Sequence, residues 1–226
     1  MDCPKCGKQA SCKDGQVNGR QRYLCKDCHP RYTVAQRSGT GDKAVKRQAL
    51  ELYLEGLGFR SIGRVLGFSN VTILNWVRAF GEQLAAIKSD RPVQVVELDE
   101  MHSYVGSKKY CWIWIAVDRH GKRFLDCVLG PRGTATGEKL WQSIADVAVG
   151  RVMTDHWQPY EAFVPKGRHT QSKAETFTVE GHNSLFRHFL ARLRRKSKCY
   201  SKCQKMLEYS VRLLMAKWNN MLAILN

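Results

Sequence analysis

The chain has 226 residues and carries 37 Lys and Arg against 20 Asp and Glu, a formal net charge of +17. The excess is spread along it, with 16 basic against 8 acidic residues in 1–92 and 21 against 12 in the remainder, so nucleic acid is a better expected partner than none. No apolar run reaches the ~20 residues that span a bilayer, and "MDCPKCG" has no signal-peptide core, which excludes a membrane protein and predicts a cytosolic one.

Nine cysteines, an odd count without a secretory signal, point to metal rather than to a disulfide framework. "CPKCG" and "YLCKDC" set Cys3, Cys6, Cys25 and Cys28 in the spacing C-x2-C-x18-C-x2-C. Each short knuckle bends two thiolates toward one point, and two knuckles make a closed tetrahedral set for one structural zinc ion. So few apolar residues surround them that the segment needs the metal to fold. The spacing predicts a small zinc ribbon over 1–36, with Cys12 and His29 left open as substitute ligands. The Ser, Gly and Thr cluster near 36–42 reads as a linker.

From Lys43, "KAVKRQALELYLEG" has helical periodicity and stops at Gly56 and Gly58. In "FRSIGRVLGFSNVTILNWVRAFGEQL", Ile62, Val65 and Leu66 form a short apolar face and Gly67 makes a turn. Ser69 or Asn70 caps a second helix, whose Ile73, Trp76, Val77 and Phe80 face inward. This order predicts a helical helix-turn-helix domain over 43–90, with Thr72, Asn75 and Arg78 free to reach a major groove. A plain helical bundle with a polar face has the same periodicity and stays open.

Beyond Asp90-Arg91-Pro92 the pattern turns to strands: "VQVVELD", "YCWIWIAVD" and "KRFLDCVLG", the last two joined by a hairpin at "RHGK". Trp112 and Trp114 alternate with Ile113 and Ile115, so both faces of that strand are apolar and it lies inside a sheet. A helix at about 134–148, the strand "GRVMTD" and a long helix from near Thr178 follow, which predicts a mixed α/β domain over 93–226. Asp99 ends the first strand, Asp155 ends the fourth and Glu180 opens the long helix. Three carboxylates meeting at one sheet edge repel one another unless a hard cation such as magnesium neutralises them, and two such ions can clamp a phosphodiester for in-line displacement. Glu97, Glu100 and Asp118 are rival acids, and His102, His156 and His182 flank the three.

"VVELDEMHSYVGSKKYCWIWIAVDR", "VMTDHWQPY" and "KAETFTVEGHNSLFRHFLARLRRKSKCYSK" closely resemble the transposases of the insertion-sequence-one family. The resemblance covers nearly the whole chain, because that family also has an N-terminal zinc finger and a helix-turn-helix. It implies an RNase H-like catalytic fold and a DDE triad on Asp99, Asp155 and Glu180, with 24 residues between the last two. It also implies a basic catalytic helper at Arg187, seven positions after the glutamate. Positions 180, 183, 184 and 187 share a helical face, with Leu185, Phe189 and Leu193 as the inward stripe.

From Arg187 to Lys205, both included, there are eight Lys or Arg and no acid. Arg192, Arg194, Arg195, Lys196, Lys198 and Lys202 are therefore expected to grip phosphates. Cys199 and Cys203 read as buried thiols, and "MLEYSVRLLMAKWNNMLAIL" as a closing helix packed on the sheet or on another subunit. The expected protein is a multidomain α/β DNA transposase that cleaves transposon ends and joins the 3′-hydroxyls to target DNA. It would use two magnesium ions and one structural zinc, bind double-stranded DNA, act as at least a dimer, and work at the nucleoid of a bacterial or archaeal cytoplasm. A helix-turn-helix regulator with an inert C-terminal domain, and an RNase H-like nuclease that cuts without joining, remain the alternatives.

Overall fold

The computed structural model describes residues 2–17, 19–33, 41–84, 91–106 and 109–222, with Val149 described for its backbone alone. Most of the expected linker, residues 36–40, lies outside them, as do 85–90 and 223–226. Two compact units form, Met1–Asp42 and Lys43–Asn226.

The first unit is a three-stranded antiparallel sheet of β1 (Ser11–Val17), β2 (Arg20–Cys25) and β3 (Arg31–Thr33), in that order. Each cysteine pair sits in a tight turn: Gly7 N–H donates to Cys3 O at 2.8 Å, and His29 N–H donates to Cys25 O at 3.0 Å. Gly7 and His29 both adopt positive φ there, which closes the knuckles. Among the described residues of this unit only Cys3 and Cys25 are buried apolar groups. A core that small cannot by itself offset the entropy of ordering the chain.

The second unit opens with α1 (Lys43–Leu54), α2 (Phe59–Leu66) and α3 (Asn70–Gln83). Gly67 takes the left-handed conformation that ends α2, and its N–H donates to Gly63 O. A side chain at Gly63 would put a Cβ 2.5 Å from Phe68 O, so the tight turn requires glycine there. Ser69 caps α3 by accepting from Thr72 N–H at 3.0 Å. Ile73, Trp76 and Val77 are buried as the periodicity predicts, but Val65 is 64% exposed and does not join Ile62 in the core. In a helix of 8 residues with Ile62 and Gly63 turned inward, the Val65 position faces away.

The five-stranded sheet has the order β6-β5-β4-β7-β8, built from β4 (Val93–Val105), β5 (Lys109–Asp118), β6 (Arg123–Gly130), β7 (Ala148–Thr154) and β8 (His169–Gln171). β4, β5 and β6 are antiparallel, whereas β7 runs parallel to β4 and β8 parallel to β7. Side chains alternate across it. Val96, Leu98, Trp114 and Ala116 pack under α4 (Thr134–Ile144) with Tyr160 and Val164. Met101, Ile113, Ile115 and Val117 meet α5 (Phe177–Phe189), α6 (Gln204–Trp218) and the three N-terminal helices. Tyr53 of α1 donates to Ser210 of α6 at 2.7 Å, and a Cβ at Gly81 of α3 would lie 2.5 Å from that of Tyr209. Residues on both sides of 85–90 therefore share one core. The closing helix packs on the sheet and α3.

Several expected boundaries shift. Asp99 lies in the middle of a 13-residue β4 rather than at a strand end, because β4 continues into a long hairpin with β5. The long helix stops at Phe189 and gives way to a 3-10 turn at Ala191–Leu193. Continuing it would crowd Arg192, Arg195 and Lys196 along one face. Its buried stripe is Val179, Asn183, Phe186 and Leu190 rather than Leu185 and Phe189. Cys199 and Cys203 are exposed, since the loop that carries them is a polar surface segment. β8 had no sequence signal beyond three residues of mixed polarity.

Candidate active site

β4 and β7 pair through Val96↔Val152 and Glu97↔Met153. Continued two residues, that register sets Asp99 beside Asp155, the residue just after β7 ends at Thr154. The sheet opens there. Asp155 is held by its own backbone, its Oδ1 accepting from Trp157 N–H at 3.0 Å. α5 crosses the same place: Asn183 Nδ2 donates to Asp99 Oδ2 at 2.6 Å, and Glu180, one turn earlier, is exposed and accepts from Thr176 Oγ1 at 3.3 Å.

Burial pushes the Asp99 carboxyl up to about 7, and repulsion from Glu100, Asp155 and Glu180 adds to it. The three expected acids are thus electrostatic neighbours. Their oxygens do not form a closed cage: among the described residues, only four cysteines bring three or more such ligand atoms within 4.8 Å of one another. A strained, oxygen-only set with a carboxyl forced toward protonation is the donor chemistry that a hard divalent cation relieves.

The raised Asp99 group fixes a stability test. A carboxyl whose folded value exceeds its free value of 3.8 destabilises the fold progressively as pH rises from about 4 to about 7. In metal-free buffer, Asp99→Asn is therefore expected to be more stable than the parent at pH 8 by on the order of 2 kcal/mol, with the gap narrowing toward pH 5. Urea denaturation at both pH values measures it, and a gap independent of pH would contradict the environment described for Asp99.

The rival acids have other work. Glu97 is fully buried, accepting from Arg119 Nε at 2.6 Å and from Val179 N–H at 2.8 Å. Arg119 also donates to Glu175 Oε2 at 2.6 Å. This network fastens the first turn of α5 to the sheet and so sets where Glu180 stands. Glu100 points to the opposite face, where it accepts from Arg132 at 2.6 Å and Tyr160 at 2.6 Å. Asp118 closes the β5–β6 hairpin by accepting from His120 N–H, Gly121 N–H and Arg123 Nε. His182 lies between Thr178 O and Lys122 O, His156 is exposed, and His102 joins a set of surface rings.

Arg187 is half-buried on α5 and near Asp99, with burial and then Arg195 pulling its pKa down. Arg194, Arg195, Lys196, Lys198 and Lys202 are exposed. Arg192 is not. It is 7% exposed, donates to Ser201 Oγ and lies over the rings of Tyr53 and Phe59, so it leaves the set of expected DNA contacts. On α3, Asn75 and Arg78 are exposed and 3.4 Å apart, while Thr72 is half-buried and shares a hydrogen bond with Ser69.

In the N-terminal unit the Sγ atoms of Cys3, Cys6, Cys25 and Cys28 all lie within 4.8 Å of one another. Hydrogen bonds from its own turn, led by the backbone of Cys28, draw the Cys25 thiol down to about 7, while burial and the neighbouring thiols push the Cys28 thiol up, the split expected of thiols crowded around one point. Cys12 points instead at Leu24 O, at 3.7 Å, and neither it nor His29 belongs to the cluster.

Sequence reading missed Asn183, Arg119 and Arg132 as partners of the acids. Asn183 had a signal, since it shares a helical face with Glu180; the two arginines had none.

The family model of IS1 transposases matches residues 93–218, which include all three acids. The chain belongs to the IS1 transposase family. This DDE transposase is 33% identical over 115 residues to the insertion element iso-IS1n protein InsB of Shigella dysenteriae, covering 50% of this chain and 88% of that one. It is 39% identical over 107 residues to the insertion element IS1 protein InsB of Shigella flexneri, covering 47% of this chain and 82% of that one. Among solved structures, the catalytic core domain of BIV integrase aligns with a TM-score of 0.40 at 14% identity, covering 56% of this chain and 83% of that one. Among the described residues of the transposase, no helix is long and apolar enough to cross a membrane.

Proposed function

We propose that this transposase cleaves transposon ends and joins the freed 3′-hydroxyls to target DNA by two-metal-ion phosphoryl transfer at Asp99, Asp155 and Glu180. The observation that carries the reading is the β4–β7 register, which sets two carboxylates side by side where the sheet opens, under a helix that brings the third. The sheet order, with three antiparallel strands followed by two parallel ones, supports an RNase H-like catalytic unit. Asp99 and Asp155 hold magnesium from the sheet, and Glu180 completes the set from α5. Magnesium held by these three carboxylates would supply charge to offset the scissile phosphate and to lower the pKa of the nucleophile, water for cleavage and the 3′-hydroxyl for joining. Asn183 orients Asp99, Glu97 and Arg119 fix the start of α5, and Arg187 offsets charge on the phosphate.

The other parts bind and align the DNA. The four cysteines hold one structural zinc, so metal analysis should find one zinc per chain. Residues 43–84 act as a helix-turn-helix whose Asn75 and Arg78 read base edges, and Arg194, Arg195, Lys196, Lys198 and Lys202 hold phosphates. Two ends are handled together, which calls for at least a dimer, working on the cell's DNA in the cytoplasm.

Asn75→Ala or Arg78→Ala is expected to weaken binding to end DNA by roughly 1–3 kcal/mol with little change on random DNA. Titrations on both DNAs measure the difference, and equal losses would count against a recognition helix. The reading as a whole is tested by incubating purified protein with labelled end duplex and plasmid target in magnesium. Cleaved and joined products are expected. Cleavage without joining would mark a nuclease, and DNA binding without cleavage a regulator.

A further inference from the structure

One surface has no place in the reaction just described. Beyond Glu97 the β4 edge is released by β7, and it is next met by the loop after α5, where Val105 bridges to Ser201. Along this stretch the even-numbered side chains of β4 and β5 form a ladder of rings. The centroid distances are 4.9 Å for Trp112–His102, 5.1 Å for His102–Tyr110, 5.0 Å for Tyr110–Tyr104 and 5.2 Å for Tyr104–Tyr200. Tyr110 is 61% exposed. The ladder starts two residues past Glu100 and ends in the basic loop, where exposed Lys198 and Lys202 flank Tyr200. His102 feels the positive fields of Arg187, Arg195 and Arg132.

Exposed rings bordered by cations suit one ligand class. Aromatic faces stack with bases that have left a duplex, and neighbouring cations hold the phosphates between them. Paired bases offer no such faces. We propose that the ring ladder binds unpaired nucleotides of a DNA strand that leaves the carboxylate site around the β4 edge released by β7 and continues on the Glu100 face to the basic loop, stacking bases on Tyr110 and its neighbours. The proposal rests on the active-site reading for what lies at one end of the strand.

The test uses full-length protein without added magnesium and two fluorescent duplexes of one sequence, blunt or with a short unpaired thymidine tail. The tail is expected to tighten binding roughly ten-fold, as stacking of one or two bases would. Tyr110→Ala should remove most of that gain and leave blunt-duplex affinity unchanged, whereas Tyr110→Phe should keep it. No gain in the parent protein would overturn the proposal, as would a gain that survives Tyr110→Ala combined with His102→Ala. A preference for the same tail made of RNA would overturn it too. So would a change in subunit number on Tyr110→Ala with the tail gain intact, which would make the rings a contact between copies. Asp155→Asn keeps the tail gain even as it loses cleavage, so failure of the ring site and failure of the active-site reading are separate results.

Discussion

Asp155→Asn is expected to lower magnesium-dependent cleavage and joining on the order of a thousand-fold while leaving DNA binding intact or slightly stronger. The substitution changes volume little and keeps an oxygen able to accept from Trp157 N–H, as Asp155 Oδ1 does at 3.0 Å. What it removes is one negative charge beside Asp99. That charge is part of what makes the site attractive to a divalent cation, and it repels an approaching phosphate, so its loss acts oppositely on metal and on DNA. Asp99→Asn and Glu180→Gln should show the same pattern. Because the three act as one centre, a double substitution should cost little more than either single one. Cleavage of end duplex, joining into plasmid and filter binding on the same preparations measure the three quantities. Near-normal cleavage by Asp155→Asn protein with parent-like circular dichroism would sink the triad assignment.

How much of this was legible in the sequence depended on the range of the interaction. The cysteine knuckles are local, so their spacing alone anticipated a cluster that the fold closes to within 4.8 Å. The α2–α3 turn was legible for the same reason: Gly67 and the Ser69 cap act within a few residues of themselves. Strand parity set Glu97 with Asp99 and Glu100 opposite, which the sheet reproduces through the two cores on its faces. Parity could not say that Glu97 would be fully buried under Arg119, because that pairing joins β4 to the turn after β5. Nor could it find Asn183 on Asp99, a contact across 84 positions.

The basic run was the most misleading stretch. Arg192 has the same sequence context as Arg194 and Arg195, yet the chain turns at Ala191–Leu193 and drives its guanidinium over Tyr53 and Phe59. Composition reports how many cations a segment holds, and only the local turn decides which of them face water. Cys199 and Cys203 illustrate the converse, since cysteines are usually buried yet these lie exposed on the loop beyond that turn.

Arg119→Met is expected to destabilise the protein by about 3–5 kcal/mol, the cost of leaving a buried carboxylate without its cation. Glu97 has no exposure, and after the substitution the hydrogen-bond donor left to it among the described residues is Val179 N–H at 2.8 Å. The arginine also donates to both the carboxylate and the backbone carbonyl of Glu175 and lies 5.0 Å from the ring of Phe177, so three attachments at the start of α5 go with it. Glu180 stands on the first turn of that helix, and cleavage should fall even where the variant stays folded. A compensating change separates the two effects. Adding Glu97→Leu to Arg119→Met replaces the buried pair with apolar side chains and should recover most of the stability. It cannot restore the bond to Val179 N–H, so cleavage should remain low. Urea denaturation and end-cleavage rates on the parent, the single variant and the double variant measure both quantities. A single variant within about 0.5 kcal/mol of the parent would show that the pair is screened by solvent rather than buried. Full recovery of cleavage in the double variant would show that the first turn of α5 holds Glu180 in place without this anchor.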